Sequence, residues 1–149
     1  MRIVPLIMVA GATSWAADAA LGTWKLNAAR STFAGDTPPK SIKVRIEPHA
    51  KGEVFTLDRT EANGRATSSS TLLYLDGTAR DFRDAGCSGT QSSRRVDTWT
   101  VEIVRDCTSG QWTRFIRRSG VLPNELILWI SERHPDGRRF ERRLVLEKE

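Results

Sequence analysis

The sequence predicts an all-β protein: one antiparallel, up-and-down β-barrel of eight to nine strands, with a β-sandwich as the alternative. Three observations carry that expectation. Short runs in which apolar and polar residues alternate follow one another from Leu21 to Glu147. Turn signals separate these runs every eight to fifteen residues. No 3.6-residue apolar stripe long enough for a core helix interrupts the series. Sequential hairpins leave a free edge at each end of the sheet, and closing the sheet on itself removes both.

The strands follow in order. Leu21–Leu26 is the first, and Asn27–Lys40, with Pro38-Pro39, is a long irregular connection. Ser41–Glu47 places Ile42, Val44 and Ile46 on one face against Lys43, Arg45 and Glu47 on the other. His49 to Gly52 turns the chain into Glu53–Thr60, and Asn63-Gly64 makes a hairpin into Ala66–Leu75. Asp76-Gly77 turns again into a short run at Ala79–Phe82. Arg83–Arg95, rich in Gly and Ser, reads as a loop, and Val96–Arg105 as the next strand. Gln111–Arg118, Glu125–Arg133 and Arg139–Glu147 complete the series, separated by Gly110, Pro123-Asn124 and Pro135-Asp136-Gly137.

Residues 1–16 read as a cleaved signal peptide, and 17–149 as one domain. Met1-Arg2 is a short positive start, Ile3 to Ala12 is apolar, and Ser14 and Ala16 supply the small residues of a cleavage site. The apolar run is far shorter than the ~20 residues of a membrane-spanning helix, and no other stretch approaches that length. The expected destination is periplasmic or secreted. In that oxidising setting Cys87 and Cys107, the two cysteines of the chain, read as one disulfide. Nothing in the Cys and His spacing reads as a metal site.

The segment Leu21-Gly22-Thr23-Trp24-Lys25-Leu26-Asn27, followed by Ser31, Phe33 and Pro39-Lys40, resembles the start of a group of small exported bacterial proteins. Those proteins begin with G-T-W-K-L-N-x-x-x-S-x-F. Gly22-Thr23-Trp24 is also similar to the Gly-x-Trp opening of lipocalin-like (calycin-type) β-barrels. The match covers Leu21 to Lys40; beyond it the agreement is one of strand rhythm and length. The resemblance implies that Trp24 closes one end of a barrel with an arginine of the last strand packed on it. Arg142, on the apolar face with Phe140, Leu144 and Leu146, occupies that place.

Catalytic signatures are absent: there is no G-x-S-x-G elbow, H-E-x-x-H or phosphate loop, and no motif asks for a cofactor. His49 and His134 each lie beside a proline in a turn. The leading expectation is a non-catalytic binding protein for a small apolar or amphipathic ligand. Phe55, Leu57, Trp99 and Trp129 are the residues expected to face or flank its pocket. Leu126 to Ile130 is apolar on both faces, so one face should be covered. The alternative is a solid barrel that docks on an anionic envelope component or protein. Its partner patch would be Arg138, Arg139 and Arg143, in the arginine-rich last three strands of a chain with net charge +5. Nucleic acid is not an expected partner in that compartment.

Overall fold

The computed structural model describes residues 17–120 and 122–149; the expected signal peptide, residues 1–16, lies outside them. A single turn of helix, Ala17–Ala20, leads into ten strands. They are β1 (Gly22–Leu26), β2 (Ser41–His49), β3 (Gly52–Thr60), β4 (Ala66–Leu73), β5 (Arg80–Asp84), β6 (Cys87–Asp97), β7 (Thr100–Cys107), β8 (Trp112–Ser119), β9 (Glu125–Arg133) and β10 (Arg139–Lys148). All neighbours are antiparallel, in one sheet of order β4-β3-β2-β1-β10-β9-β8-β7-β6-β5. The sheet is a nearly closed barrel rather than a sandwich, sealed where β1 meets β10 through Trp24↔Lys148 and Leu26↔Leu146. It is open between β4 and β5, which are neighbours in sequence but not in the sheet.

Among the described residues the strand count is ten, not eight to nine, and the difference comes from residues 83–105. The Gly/Ser-rich stretch is not a loop: it forms most of β6, which pairs with β5 on one side and β7 on the other. Its inward residues, Gly89, Gln91, Ser93 and Arg95, are as polar as its outward ones, so no apolar alternation marks it. Val96–Arg105 is not one strand either. Asp97 Oδ1 accepts from Trp99 N at 2.8 Å, turning the chain, and β7 starts at Thr100.

Alternation decides which side chains meet inside. Ile42, Val44 and Ile46 of β2 face Trp24, Phe55, Val101, Leu126, Leu128, Leu144 and Leu146 in one apolar cluster. Each of these is at most 4 % exposed, so burying them is the main favourable term for the fold. On the outer side, Ile127 and Val145 are also buried, as the two-faced apolar pattern of 126–130 requires. The 3-10 turn Ala28–Arg30 packs against β10. Arg30 reaches Glu125 from there at 2.6 Å. The tight β2–β3 turn depends on Gly52, where φ is +152° and a Cβ would sit 1.9 Å from the Leu73 carbonyl oxygen.

Trp24 lies under the sealed end of the barrel, 2 % exposed, with its indole Nε1 donating to the Ala20 carbonyl at 2.8 Å. The cation on its ring is not Arg142 but Lys148, whose Nζ lies 5.7 Å from the ring centroid. The register explains the substitution: Lys148 is directly opposite Trp24, whereas Arg142 lies further along β10, opposite Ile130. Arg142 does share the inward side with Leu144 and Leu146, but it ion-pairs with Asp36 and, at 3.0 Å, with Glu132. Gly22, opposite Ile46, has φ +126° and admits Lys148 Cε to 3.2 Å of where a Cβ would be.

Candidate functional site

Where β4 and β5 fail to pair, the chain leaving β4 crosses to β6 instead. Leu75 N donates to Ser93 Oγ at 2.9 Å, Gly77 N donates to the Ser93 carbonyl at 2.7 Å, and Asp76 bridges Arg94. Deeper in the gap, Gln91 Nε2 donates to Thr71 Oγ1 at 2.9 Å. These bonds tie β4 to β6 behind the short β5 and leave a cleft of about 200 Å³. Its floor is Thr71, Gln91 and Ser93, and its walls include the rings of Tyr74 and Phe82. Arg80 lies over Tyr74 at 3.7 Å and is clamped by both oxygens of Asp76. The guanidinium, helped by the Thr78 backbone N–H, holds the Asp76 carboxyl well below the usual carboxylate range.

Behind the cleft stands Arg105. It is an inward residue of β7 whose Nε donates to Gln91 Oε1 at 2.9 Å. Its guanidinium is flanked by Phe82 at 4.5 Å and Phe115 at 5.0 Å. The paired carboxylate, Asp84, is 4.0 Å away, the far limit of an ion pair. Burial pushes the Arg105 pKa down, partly offset by Asp84. On its inner side Arg105 meets an apolar recess of Phe55, Leu57, Ile103 and Phe115, with Ser69. The recess is about 20 Å³, room for a single water.

A second polar group lies deeper. Arg117 of β8 and Glu53 of β3 are each almost fully buried and meet at 2.7 Å, and Arg95 reaches the same carboxylate at 3.4 Å. Two guanidiniums share one carboxylate, and Arg117 Nη1 is left without a partner among the described residues. Desolvation lowers the Arg117 pKa, with Glu53 opposing.

The expected pocket residues divide. Phe55 and Leu57 line the recess beside Arg105. Trp99 does not share a face with Val101 and Ile103; it occupies the β6–β7 turn, 46 % exposed, its ring against Gly120. Trp129 is on the outer side of β9, with Arg143 over its ring at 6.0 Å. Gly22, Trp24 and Arg142 belong to the two ends of the barrel, away from the cleft. Cys87 and Cys107 are joined, fastening the β5–β6 turn to the end of β7. Arg138 is in a turn, bonded to Asp136, while Arg139 and Arg143 stand outward on β10.

Arg105, Arg117 and Glu53 were not among the expected site residues. The signal was present: Val101-x-Ile103-x-Arg105 and Thr113-x-Phe115-x-Arg117 each place an arginine on an apolar strand face. Among the described residues, no cluster of His, Cys, Asp and Glu could hold a metal ion, and no helix is long and apolar enough to cross a membrane.

Fold and cleft together define a ten-stranded antiparallel barrel with a lateral break among the described residues. No family model matches the chain, and no curated protein matches it. Solved structures do. The chain is similar to apo lipid binding protein 8 of Caenorhabditis elegans, with a TM-score of 0.60 at 10 % identity over 89 % of this chain and 96 % of that one. It is similar to a Schistosoma mansoni fatty acid binding protein in complex with arachidonic acid, with a TM-score of 0.56, 12 % identity, and 87 % and 95 % coverage. Zebrafish ileal bile acid-binding protein complexed with cholic acid matches with a TM-score of 0.54, 10 % identity, and 88 % and 99 % coverage. The likeness is one of fold.

Proposed function

We propose that this protein is an exported, non-catalytic binding barrel for a small amphipathic molecule with an anionic head. The ligand enters through the β4–β5 break. The observation that carries the reading is Arg105. An arginine held between two aromatic rings, largely desolvated and with its carboxylate 4.0 Å away, is an under-used partner for an anion. It stands at the junction of a polar cleft and an apolar recess, which is the arrangement an anionic head with an apolar tail requires. That barrels of this fold bind fatty and bile acids supports the ligand class. The recess is small, and the tail gains room by displacing β5, which is hydrogen-bonded to a neighbouring strand on one side only. The apolar segment Ile3 to Ala12 and the disulfide support export.

Titration with dodecanoate, followed by tryptophan fluorescence and calorimetry, tests the reading. Saturable binding is expected, weakened about tenfold or more in Arg105→Leu by loss of a charge-assisted hydrogen bond. Dodecanol should bind more weakly than dodecanoate and be insensitive to that substitution. Absence of saturable binding, or equal dodecanoate affinity in Arg105→Leu, refutes it.

A further inference from the structure

The wall of the barrel opposite the β4–β5 break is the outer side of β8, β9 and β10. The register aligns Trp112, Arg133 and Arg139 in one row across the three strands, and Ile116, Trp129 and Arg143 in another. Arg114 falls between the rows, and Arg118 beyond the second. The wall is therefore arginine and tryptophan side by side. Arg133 lies over Trp112 at 5.4 Å and Arg143 over Trp129 at 6.0 Å. Glu141, opposite Ser131, falls between the rows with Arg114, and on the adjoining β7 Asp106 stands opposite Trp112 and Glu102 opposite Ile116. Arg114 is already bonded to Glu102 at 2.7 Å. Arg118, Arg133, Arg139 and Arg143 form no ion pair among the described residues. A groove of about 120 Å³ opens between Trp112, Arg133, Arg139 and Glu141.

We propose that this wall docks the protein on an anionic lipid bilayer. The charge complementarity is direct: Arg118, Arg133 and Arg139 are exposed and form no ion pair among the described residues, and an anionic leaflet presents a plane of phosphates. Arginine's planar fork takes a phosphate through two parallel hydrogen bonds. Tryptophan is the side chain that settles at headgroup depth, with its ring toward the acyl boundary and its N–H toward water. The groove beside Trp112 brings Arg133 and Arg139 to a single headgroup. An acidic protein surface would match the arginines alone, and the two half-buried indoles between them favour the bilayer. The wall faces away from the cleft, so the proposal does not depend on the ligand reading.

The test is flotation of the full chain with vesicles of phosphatidylcholine containing either no or half phosphatidylglycerol, at low and high salt. Binding is expected to the anionic vesicles, to weaken as salt rises, and to fall about a hundredfold or more in R133E/R139E/R143E. The double variant W112A/W129A should bind more weakly than the parent at both salt concentrations. A charge-matched variant away from the wall, K40E/K51E/R65E, should retain most of the binding. Attachment through the apolar segment at residues 3–12 would be the same in every variant. Binding that survives R133E/R139E/R143E, or that is equal on neutral vesicles, overturns the proposal. So does equal loss in the charge-matched control, or capture by a soluble polyanion such as heparin without capture by vesicles.

Discussion

The buried trio of Glu53, Arg117 and Arg95 makes a prediction whose sign and ranking follow from geometry. Arg117 is 2 % exposed and Glu53 3 %, so each charge has exchanged water for the other at 2.7 Å. Glu53→Gln removes the sole carboxylate of the trio and leaves two guanidiniums facing each other. Breaking a buried pair in this way costs about 3–5 kcal/mol. Arg117→Met keeps the length of the side chain and leaves Glu53 its second partner, Arg95, which is 21 % exposed and 3.4 Å away. Its cost should be nearer 2 kcal/mol, that of one charge-assisted hydrogen bond. In the double variant E53L/R117M the one charge of the trio left is Arg95, which at 21 % exposure keeps access to water, and stability should return to within about 2 kcal/mol of the parent. Urea unfolding followed by tryptophan fluorescence reads all three, since Trp24 is buried in the same core. The reasoning fails if Arg117→Met costs as much as Glu53→Gln, or if the costs of the single changes simply add in the double variant.

Other changes should be visible in the same assay. Replacing Cys87 and Cys107 by Ala releases a link between residues 20 apart in sequence and should cost about 3 kcal/mol, with the β5–β6 hairpin losing hydrogen-exchange protection first. Gly89→Ala drives a Cβ to 2.0 Å from the Asp106 carbonyl oxygen, a backbone atom that cannot rotate away; a loss of about 3 kcal/mol is expected. Glu102 is held below its ordinary pKa by a hydrogen bond from Arg94 and then by Arg114. Its stabilising contribution is complete above the ordinary glutamate range and disappears as pH falls through the lowered folded-state value. R94A/R114A should therefore move the acid limb of a fluorescence-monitored pH titration to higher pH.

Much of the architecture could be read from residue order alone, and the reasons are local. Ile42, Val44 and Ile46 alternate with charged residues because β2 has one wet face, so their strand announces itself. β6 does not, because its inner face is needed by Arg105 and Glu53 as a source of hydrogen bonds: Gln91 contacts the first and Arg95 the second. A strand polar on both sides has no periodicity to detect. Tryptophans were a poor guide to the cleft for a related reason. Trp99 and Trp129 are large and apolar, but strand parity and the bend at Asp97 turn them away from the interior. Arg105 and Arg117, set on apolar strand faces, break the local pattern, and those breaks are where the polar chemistry inside the barrel lies.

The β1–β10 seam has a consequence for how the chain reaches this shape. All ten strands of the described residues are built into two meanders by neighbours in sequence, β1–β4 and β5–β10, which form quickly because short loops close at small entropic cost. Joining the meanders requires residues more than a hundred positions apart: Asn27 Nδ2 donates to Glu147 over a separation of 120, and Arg143 N donates to Thr32 Oγ1 over 111. The search for that encounter should set the folding rate, and Trp24, lying at the seam, becomes its natural reporter. A folding intermediate with two preformed half-sheets would show early protection in β2–β4 and β7–β9, and a late quench of Trp24 when the last strand locks beside the first.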